Sequence, residues 1–334
     1  MEGDIEKHIE ATEAFDGVQL SEFLSYALRE YSLTYLRKLI ARGSVRIGRK
    51  LCAATYEVRA GDVFSISMNE DNPIALRAEK MDLAVIYEDR KVVVINKPAG
   101  LAVIPERGSR DPKFLNGVAH YLAEESPFGA EKGIDAAVMR PMIVHRLDRD
   151  TSGVVALAKD SETLGFLSEQ FASRAVSKEY MALVHGGIRP LQGQVEGAIA
   201  VDRSSGRAFI DAKRGKPSLT RYEIQECFRS VSLVRVMPET GRMHQIRVHL
   251  QSVGMPVLCD RIYGYEAPLL LSSFKRGYRP KRDGEEKPLI SRLALHACRL
   301  SFVTPDGNRE VTAEAELPKD FHVSLKMLRK YCSG

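Results

Sequence analysis

Cysteine is scarce in this 334-residue chain, and the five cysteines present are far apart in sequence. No two of them stand at the spacing of a zinc site or of a redox-active pair. The sequence therefore predicts no metal centre, and an odd, scattered set of thiols fits a reducing compartment. The five are Cys52, Cys227, Cys259, Cys298 and Cys332.

Long hydrophobic runs are missing as well. Apolar stretches such as Val92–Ile95 fall far short of the ~20 residues that a membrane helix needs. The acidic amino terminus lacks the apolar segment of a signal peptide, and no internal repeat of fixed period is present. We therefore expect a cytoplasmic protein with no membrane partner.

Acidic residues do not balance the basic ones, and the formal net charge is +5. The excess is concentrated between residues 21 and 61, where eight basic residues stand against three acidic ones. A basic module joined to a nearly neutral body indicates a polyanionic partner, although a solvated basic face is the alternative. The composition, 44% hydrophobic and 28% charged, is that of a globular protein with a sizeable core.

The basic segment has the pattern of two short helices and a hairpin. Apolar residues recur at helical spacing over Leu20–Leu28 and Leu33–Ile40, and Gly43 ends the second stripe. Strands are expected at Val45–Ile47 and Val63–Ile66. The predicted divisions of the chain are a polar, frayed tail (1–14), the module with its linker (15–75) and a larger domain (76–334).

Strand-like segments dominate the larger domain and seldom alternate strictly with helices. This order favours an α+β fold with a mixed, mostly antiparallel sheet and flanking helices over a doubly wound parallel sheet. Helices are predicted at Phe114–Leu122, Leu164–Phe171 and His244–Val253. Strands are predicted at Leu83–Tyr87, Lys91–Ile95, Ile143–Arg146, Val154–Ala158, Tyr180–His185 and Val231–Val236.

Three segments could carry chemistry. Asp148 follows His145-Arg146-Leu147 between two strand-like runs, which places its carboxylate on a loop at a sheet end. Arg247 lies one turn inside a helix that begins with glycine and basic residues, so it could reach a carboxylate from another segment. Tyr180 enters an apolar strand. The plainer interpretations are a charged surface turn, a solvated helix face and a half-buried core residue, respectively.

Five motifs stand in the order found in one enzyme family. They are Asn96-Lys97-Pro98-Ala99-Gly100, His145-Arg146-Leu147-Asp148 with Thr151-Ser152-Gly153, Gly241-Arg242 with His244-Gln245-Ile246-Arg247, Asp260-Arg261-Ile262-Tyr263-Gly264, and Leu295-His296-Ala297. Over roughly residues 83–320 the chain thus resembles the RluA-type pseudouridine synthases. Residues 15–68 are similar to the small RNA-binding S-four domain. One departure is Cys259, which stands where glycine is usual before Asp260.

The resemblance implies that a uridine already in RNA is isomerised to pseudouridine, without a cofactor or a metal. It implies Asp148 as the catalytic carboxylate, Arg247 as its ion-pair partner and Tyr180 as the residue that stacks on the target base. The expected substrate-binding residues are Arg146, His145, Arg242 and Ile246. The expected RNA-binding residues of the basic module are Arg37, Lys38, Arg42, Arg46, Arg49 and Lys50.

The expected partner is RNA, with large-subunit ribosomal RNA ahead of transfer RNA, and the chain is expected to act as a monomer. Asp148 either attacks the sugar or removes a proton from carbon 2′, and the sequence leaves this choice open. An inactive ribosome-assembly factor could keep the same fold and basic surface. A hydrolase using His145 and Asp148 is disfavoured because no serine or cysteine elbow accompanies them.

Overall fold

The computed structural model divides the chain into two compact units. The first comprises Met1–Leu83, Ala102–Met142 and Ala158–Glu162, and the second comprises Ala84–Leu101, Ile143–Leu157 and Thr163–Gly334. The predicted linker lies mostly outside the described residues, so the division at residue 76 stays a prediction. The structure describes residues 5–12, 15–28, 31, 33–68, 78–103, 113–127, 141–186, 190–202, 204–279 and 285–332.

The first unit contains the basic module as a small sheet with two helices. Its elements are β1 (Ile5–Glu10), α1 (Leu20–Ala27), α2 (Leu33–Ala41), β2 (Val45–Ile47), β3 (Lys50–Leu51), β4 (Val63–Met68) and, later in the chain, α3 (Lys113–Glu124). The strand order is β1-β4-β2-β3, with antiparallel neighbours. The predicted apolar stripes of both helices are buried, and the rings of Phe23 and Phe64 lie 5.2 Å apart in this core.

The frayed tail expected over residues 1–14 is wrong for residues 5–10. Strand β1 pairs with β4 over its whole length, and Ile9 packs against the core of the module. An edge strand needs apolar side chains on one face only, and charged residues protect its free edge from pairing with other chains. The polar composition of this segment is therefore compatible with a strand.

The second unit is built on one large sheet. Its strands are β5 (Ala84–Glu88), β6 (Val92–Lys97), β7 (Met142–Ile143), β8 (Ser152–Ala158), β9 (Ser177–His185), β10 (Gln192–Glu196), β13 (Leu219–Cys227), β14 (Val231–Pro238), β15 (Leu295–Val303) and β16 (Glu310–Glu314); β11 (Ile199–Asp202) and β12 (Arg207–Ile210) form a separate hairpin. The main order is β10-β13-β14-β9-β15-β8-β6-β5. Strands β8 and β15 are parallel, whereas the other registered pairs are antiparallel.

The helices complete an α+β architecture, as predicted. They are α4 (Ser161–Ser173), α5 (Gln245–Ser252) and α6 (Lys319–Cys332). Ile246 and Leu250 of α5 and Phe321 and Leu325 of α6 belong to the same buried cluster as the central strands. The sheet therefore carries the core of this unit, and the helices cover it.

Candidate active site

Asp148 lies on the loop between β7 and β8. The strand predicted over Ile143–Arg146 ends at Ile143, so the chain leaves the sheet before it reaches Asp148. Three carbonyl oxygens accept hydrogen bonds from the buried ammonium of Lys97, at 2.7 to 3.0 Å: those of Pro98, Leu101 and Arg149. Lys97 thereby connects the loop that follows β6 to the loop that bears Asp148, at the residue next to Asp148 in the sequence.

Strand β8 approaches β15 closely just after this loop. Gly153 has a φ of +118°, and a Cβ at this position would stand 2.1 Å from the carbonyl oxygen of Ala297. Only glycine fits there without movement of one backbone. The buried His296 reinforces the junction, because its Nδ1 lies 2.9 Å from the Ser152 hydroxyl.

Arg247 joins two carboxylates from distant parts of the chain. Its Nη1 donates to Asp148 Oδ2 at 3.0 Å, while its Nε and Nη2 donate to the two oxygens of Asp260 at 2.7 and 2.8 Å. Burial alone would lower the pKa of Arg247, but hydrogen bonds and charge from Asp260 and Asp148 outweigh it and raise that pKa. The guanidinium is therefore charged and fixed in orientation by the fork to Asp260.

The start of α5 is anchored by a buried amide. Gln245 accepts hydrogen bonds from the Thr240 hydroxyl and the Arg242 backbone, and it donates to the Leu219 carbonyl at 3.0 Å and the Thr220 hydroxyl at 2.9 Å. These bonds connect the helix to β13. They fix the position from which Arg247 extends, two residues further on.

Tyr180 extends from β9 into a cavity that Asp148 also borders. The cavity has a volume of about 380 Å³ and is lined by both Asp148 and Tyr180. Burial raises the pKa of the Tyr180 hydroxyl, and the charge of Asp148 acts in the same direction. The phenol is consequently protonated at neutral pH.

The predicted substrate-binding residues also line this cavity, but they differ in burial and in hydrogen bonding. His145 accepts a hydrogen bond at Nε2 from the Ala156 backbone at 3.0 Å and stacks on Phe171 with ring centroids 4.8 Å apart. Burial lowers the pKa of His145 to about 3, so it forms part of the wall as a neutral ring. Arg146 is exposed at the rim, whereas Ile246 is buried. The lining includes His145, Arg146, Arg242, Ile246 and Arg247.

Sequence reasoning assigned no role to several residues of this site. Asp260 is buried behind Arg247, Lys178 lines the cavity, and His244 and Tyr263 are hydrogen-bonded at 2.9 Å beside Asp148. The sequence offered one signal for Asp260, its place at the start of the motif Asp260–Gly264. The structure shows why this carboxylate matters: it is buried, and a buried carboxylate needs a charged partner. Cys259 has a φ of +58°, which explains why glycine is usual at this position.

The expected RNA-binding residues of the basic module all lie at its surface. Arg37 and Lys38 extend from α2, and Arg46 extends from β2. Within the described part of the chain, none of the six is at ion-pair distance from a carboxylate. The six exposed residues are Arg37, Lys38, Arg42, Arg46, Arg49 and Lys50.

Comparisons with known proteins bear on what this site does. The profile of the RNA pseudouridylate synthase family matches residues 91–252. An uncharacterised RNA pseudouridine synthase of Bacillus subtilis, YlyB, is 32% identical over 96% of this chain and 98% of its own length. The chain belongs to the RluA-type RNA pseudouridine synthases. The relationship inferred from the five motifs is thereby confirmed, and this synthase is an RNA-modifying isomerase.

Further relatives agree with this assignment. A protein of Zymomonas mobilis named ribosomal large subunit pseudouridine synthase D is 31% identical over 96% of the synthase and 97% of its own length. The solved structure of human RNA pseudouridylate synthase domain containing 4 is 26% identical, with a TM-score of 0.55, over 74% of the synthase and 93% of the human chain. The family profile begins at residue 91, so the likeness of residues 15–68 to the S-four domain stays a prediction.

The described residues contain neither a candidate metal site nor a candidate membrane-spanning helix. No group of three or more histidine, cysteine, aspartate or glutamate side chains among them is placed to hold a metal ion. No helix in that part of the chain is long and apolar enough to cross a membrane.

Proposed function

We propose that this synthase isomerises uridines in large-subunit ribosomal RNA, with Asp148 as the catalytic carboxylate. The observation that carries the proposal is the position of Asp148 in the cavity wall, with Arg247 on one oxygen only. In the described part of the chain, Oδ1 accepts no hydrogen bond. Arg247 therefore orients the carboxylate through Oδ2 and leaves Oδ1 for the ribose of the target nucleotide.

Isomerisation requires that the base leave the sugar and return through another atom. Asp148 Oδ1 either bonds to carbon 1′ as the bond from carbon 1′ to nitrogen 1 breaks, or removes a proton from carbon 2′ that is later returned. The electrons of the broken bond leave with uracil, which turns and bonds to carbon 1′ through carbon 5. In the first case this bond displaces the Asp148 carboxylate from carbon 1′, and in the second case Asp148 returns the proton to carbon 2′ as the bond forms. Carbon 5 then loses its proton and nitrogen 1 gains one, so the product is an isomer of the substrate.

Tyr180 is proposed to stack on the target base within the cavity. Base–aromatic stacking contributes roughly 1–3 kcal/mol per base and depends little on which base is stacked. Since the hydroxyl is protonated at neutral pH, it can take the carbon 5 proton only by passing its own proton on. Stacking is therefore the first role of Tyr180, and proton relay is the second.

Arg146 is proposed to occupy the space that the target uridine leaves. A base must come out of its stack to reach a carboxylate inside a cavity, at a cost of a few kcal/mol. Arg146 stands at the rim, two residues before Asp148, and its side chain is exposed. A long cationic side chain at that place can both fill the gap and bind phosphates.

The names of two relatives and the charge of the basic module support ribosomal RNA as the substrate. The Zymomonas mobilis relative and another from Neisseria meningitidis are both named ribosomal large subunit pseudouridine synthase D, and each covers most of this chain. The six exposed basic residues of the module supply sequence-independent affinity for RNA phosphates. The names of these relatives support large-subunit ribosomal RNA as the substrate, and the charge supports an RNA partner in general.

The test is tritium release from RNA labelled at carbon 5 of uracil. Wild type and Asp148→Asn are compared on large-subunit ribosomal RNA, with small-subunit ribosomal RNA and transfer RNA as parallel substrates. We expect release from the large-subunit RNA by wild type alone. Turnover by Asp148→Asn would overturn the role of the carboxylate, and release from transfer RNA alone would overturn the substrate. Absence of release from all three would favour the inactive assembly factor.

A further inference from the structure

The backbone of His244 is strained immediately before helix α5. Its φ is +53°, in the left-handed region that only a few per cent of non-glycine residues adopt, with asparagine, aspartate and histidine more frequent there than the rest. Backbone conformations of this kind occur preferentially at functional sites. The conformation places the imidazole between two groups: Nδ1 is 2.9 Å from the Tyr263 hydroxyl, and Nε2 is 3.9 Å from Asp148 Oδ2.

The hydrogen bonds around Tyr263 determine which nitrogen of His244 carries the proton. The backbone N–H of Ala208 donates to the Tyr263 oxygen at 2.8 Å, so the hydroxyl proton is left to donate to His244 Nδ1. Nδ1 is then an acceptor, and the ring hydrogen of the neutral imidazole lies on Nε2, which faces Asp148. Burial lowers the pKa of His244, which favours this neutral form.

Tyr263 also supports the other partner of Asp148. The Arg247 guanidinium lies 5.0 Å from the centroid of the Tyr263 ring, and the ring of His244 packs edge-on against it with centroids 5.5 Å apart. Arg247 and His244 are three residues apart across the start of α5. One buried tyrosine therefore contacts both groups that face Asp148 Oδ2.

We propose that His244 is a positioning residue, whose Nε2–H is directed at Asp148 Oδ2 by the hydroxyl of Tyr263. This inference rests on the proposed role of Asp148. The separation of 3.9 Å exceeds a hydrogen bond, but such distances in unliganded enzymes shorten when substrate fills the site. A neutral donor beside Arg247 then fixes the plane of the carboxylate, with Oδ1 toward the sugar, without transferring a proton to it.

The kinetic test uses two substitutions that separate the donor from the backbone. Asparagine tolerates a positive φ and can replace Nδ1, but its amide is too short to reach Asp148. Glutamine can place an amide N–H where Nε2 stands. We expect His244→Asn to lower kcat by roughly 10- to 100-fold, the effect of one hydrogen bond to a charged group, with KM for RNA unchanged. His244→Gln should recover a large part of that loss.

A second test needs no turnover. Nitrogen NMR of protein labelled at histidine reports the tautomer of His244, whose signals are assigned by their loss in His244→Asn. We expect the Nε2–H tautomer in wild type and a growing Nδ1–H fraction in Tyr263→Phe. The exposed Tyr265 supplies the matched control, because it lies two residues after Tyr263 and its ring packs against His185 rather than His244.

The outcomes distinguish this inference from the proposed function. An Nδ1–H tautomer in wild type overturns the inference whatever RNA the synthase modifies. Equal activity of His244→Asn and wild type also overturns it, as does equal impairment of the Asn and Gln variants with RNA affinity abolished. Turnover by Asp148→Asn would instead remove the proposed catalytic carboxylate and leave the tautomer result standing.

Discussion

Arg247 Nη1 lies 3.0 Å from Asp148 Oδ2, although the two residues are 99 positions apart in the chain. On its other side, Arg247 is held by both oxygens of Asp260, whose side chain is fully buried. The same guanidinium thus performs two tasks. It neutralises a carboxylate in the core and orients a second one that borders the cavity.

Replacing Arg247 with alanine is expected to affect both tasks. The buried carboxylate of Asp260 would lose its partner, and the free energy of unfolding should fall by about 3–5 kcal/mol. Turnover should fall far more than RNA affinity. Urea denaturation and filter binding measure these effects, and Arg329→Ala, which breaks a more exposed fork to Glu226, is the control with a cost of about 0–1 kcal/mol. Equal losses of turnover and affinity would indicate that Arg247 binds a phosphate instead.

Tyr180→Phe should separate stacking from proton relay. The phenylalanine ring keeps the aromatic face, so we expect RNA affinity to remain and a base-modified adduct to accumulate while turnover falls. Tyr180→Leu should weaken RNA binding by roughly 1–3 kcal/mol, because the stacking surface is removed. Electrophoresis of the enzyme–RNA species under denaturing conditions detects the adduct. Full turnover by Tyr180→Phe would leave stacking as the only role.

The buried ring of His296 should lower the stability of the folded protein at acidic pH. Burial lowers the pKa of this ring to about 4, below the value of ~6.5 for a histidine in an unfolded chain. Between these two values the unfolded state binds more protons, so the free energy of unfolding should decline as pH falls from about 6.5 to about 4. Replacement by asparagine, which can still accept from Ser152, should flatten that decline.

The measurement for His296 is a series of urea midpoints across this pH range. His322→Asn is the matched control, since that histidine is exposed on α6. A pH dependence in His296→Asn as steep as in wild type would show that other groups cause the decline.

Neutralising the basic face of the module should reduce the salt dependence of RNA binding. Removing one cation that neutralises a phosphate lowers the slope of log K against log salt by roughly 0.7–0.9. Replacing Lys38, Arg42 and Arg46 with alanine should therefore flatten the slope by about two units or more, with kcat at saturating RNA retained. Lys319, Lys326 and Lys330, exposed on the second unit, serve as the charge-matched control when all three are replaced with alanine. An unchanged slope would place the RNA elsewhere.

Local pattern was sufficient for the family and for part of the elements, whereas β10 to β13, β15, β16 and α6 were not predicted. Helical stripes located α1, α2 and α5 to within a few residues, because a one-sided apolar face has a fixed period. Strand β1 was missed since an edge strand can be largely polar. The interactions of Asp260, Tyr263 and His244 were out of reach for a different reason: they depend on which distant segments the sheet brings together.

The parallel pairing of β8 with β15 has a consequence for the order of events during synthesis. Strand β8 leads directly from the Asp148 loop, and in the sheet it lies between β6 and a strand near the carboxyl end of the chain. Strand β9, which bears Tyr180, also pairs with β15. During synthesis, Asp148, Tyr180 and Arg247 therefore leave the ribosome before β15 does. Until β15 follows, β8 and β9 lack the strand that pairs with both of them. We therefore expect the proposed active site to be assembled only after β15 has emerged and paired with β8 and β9.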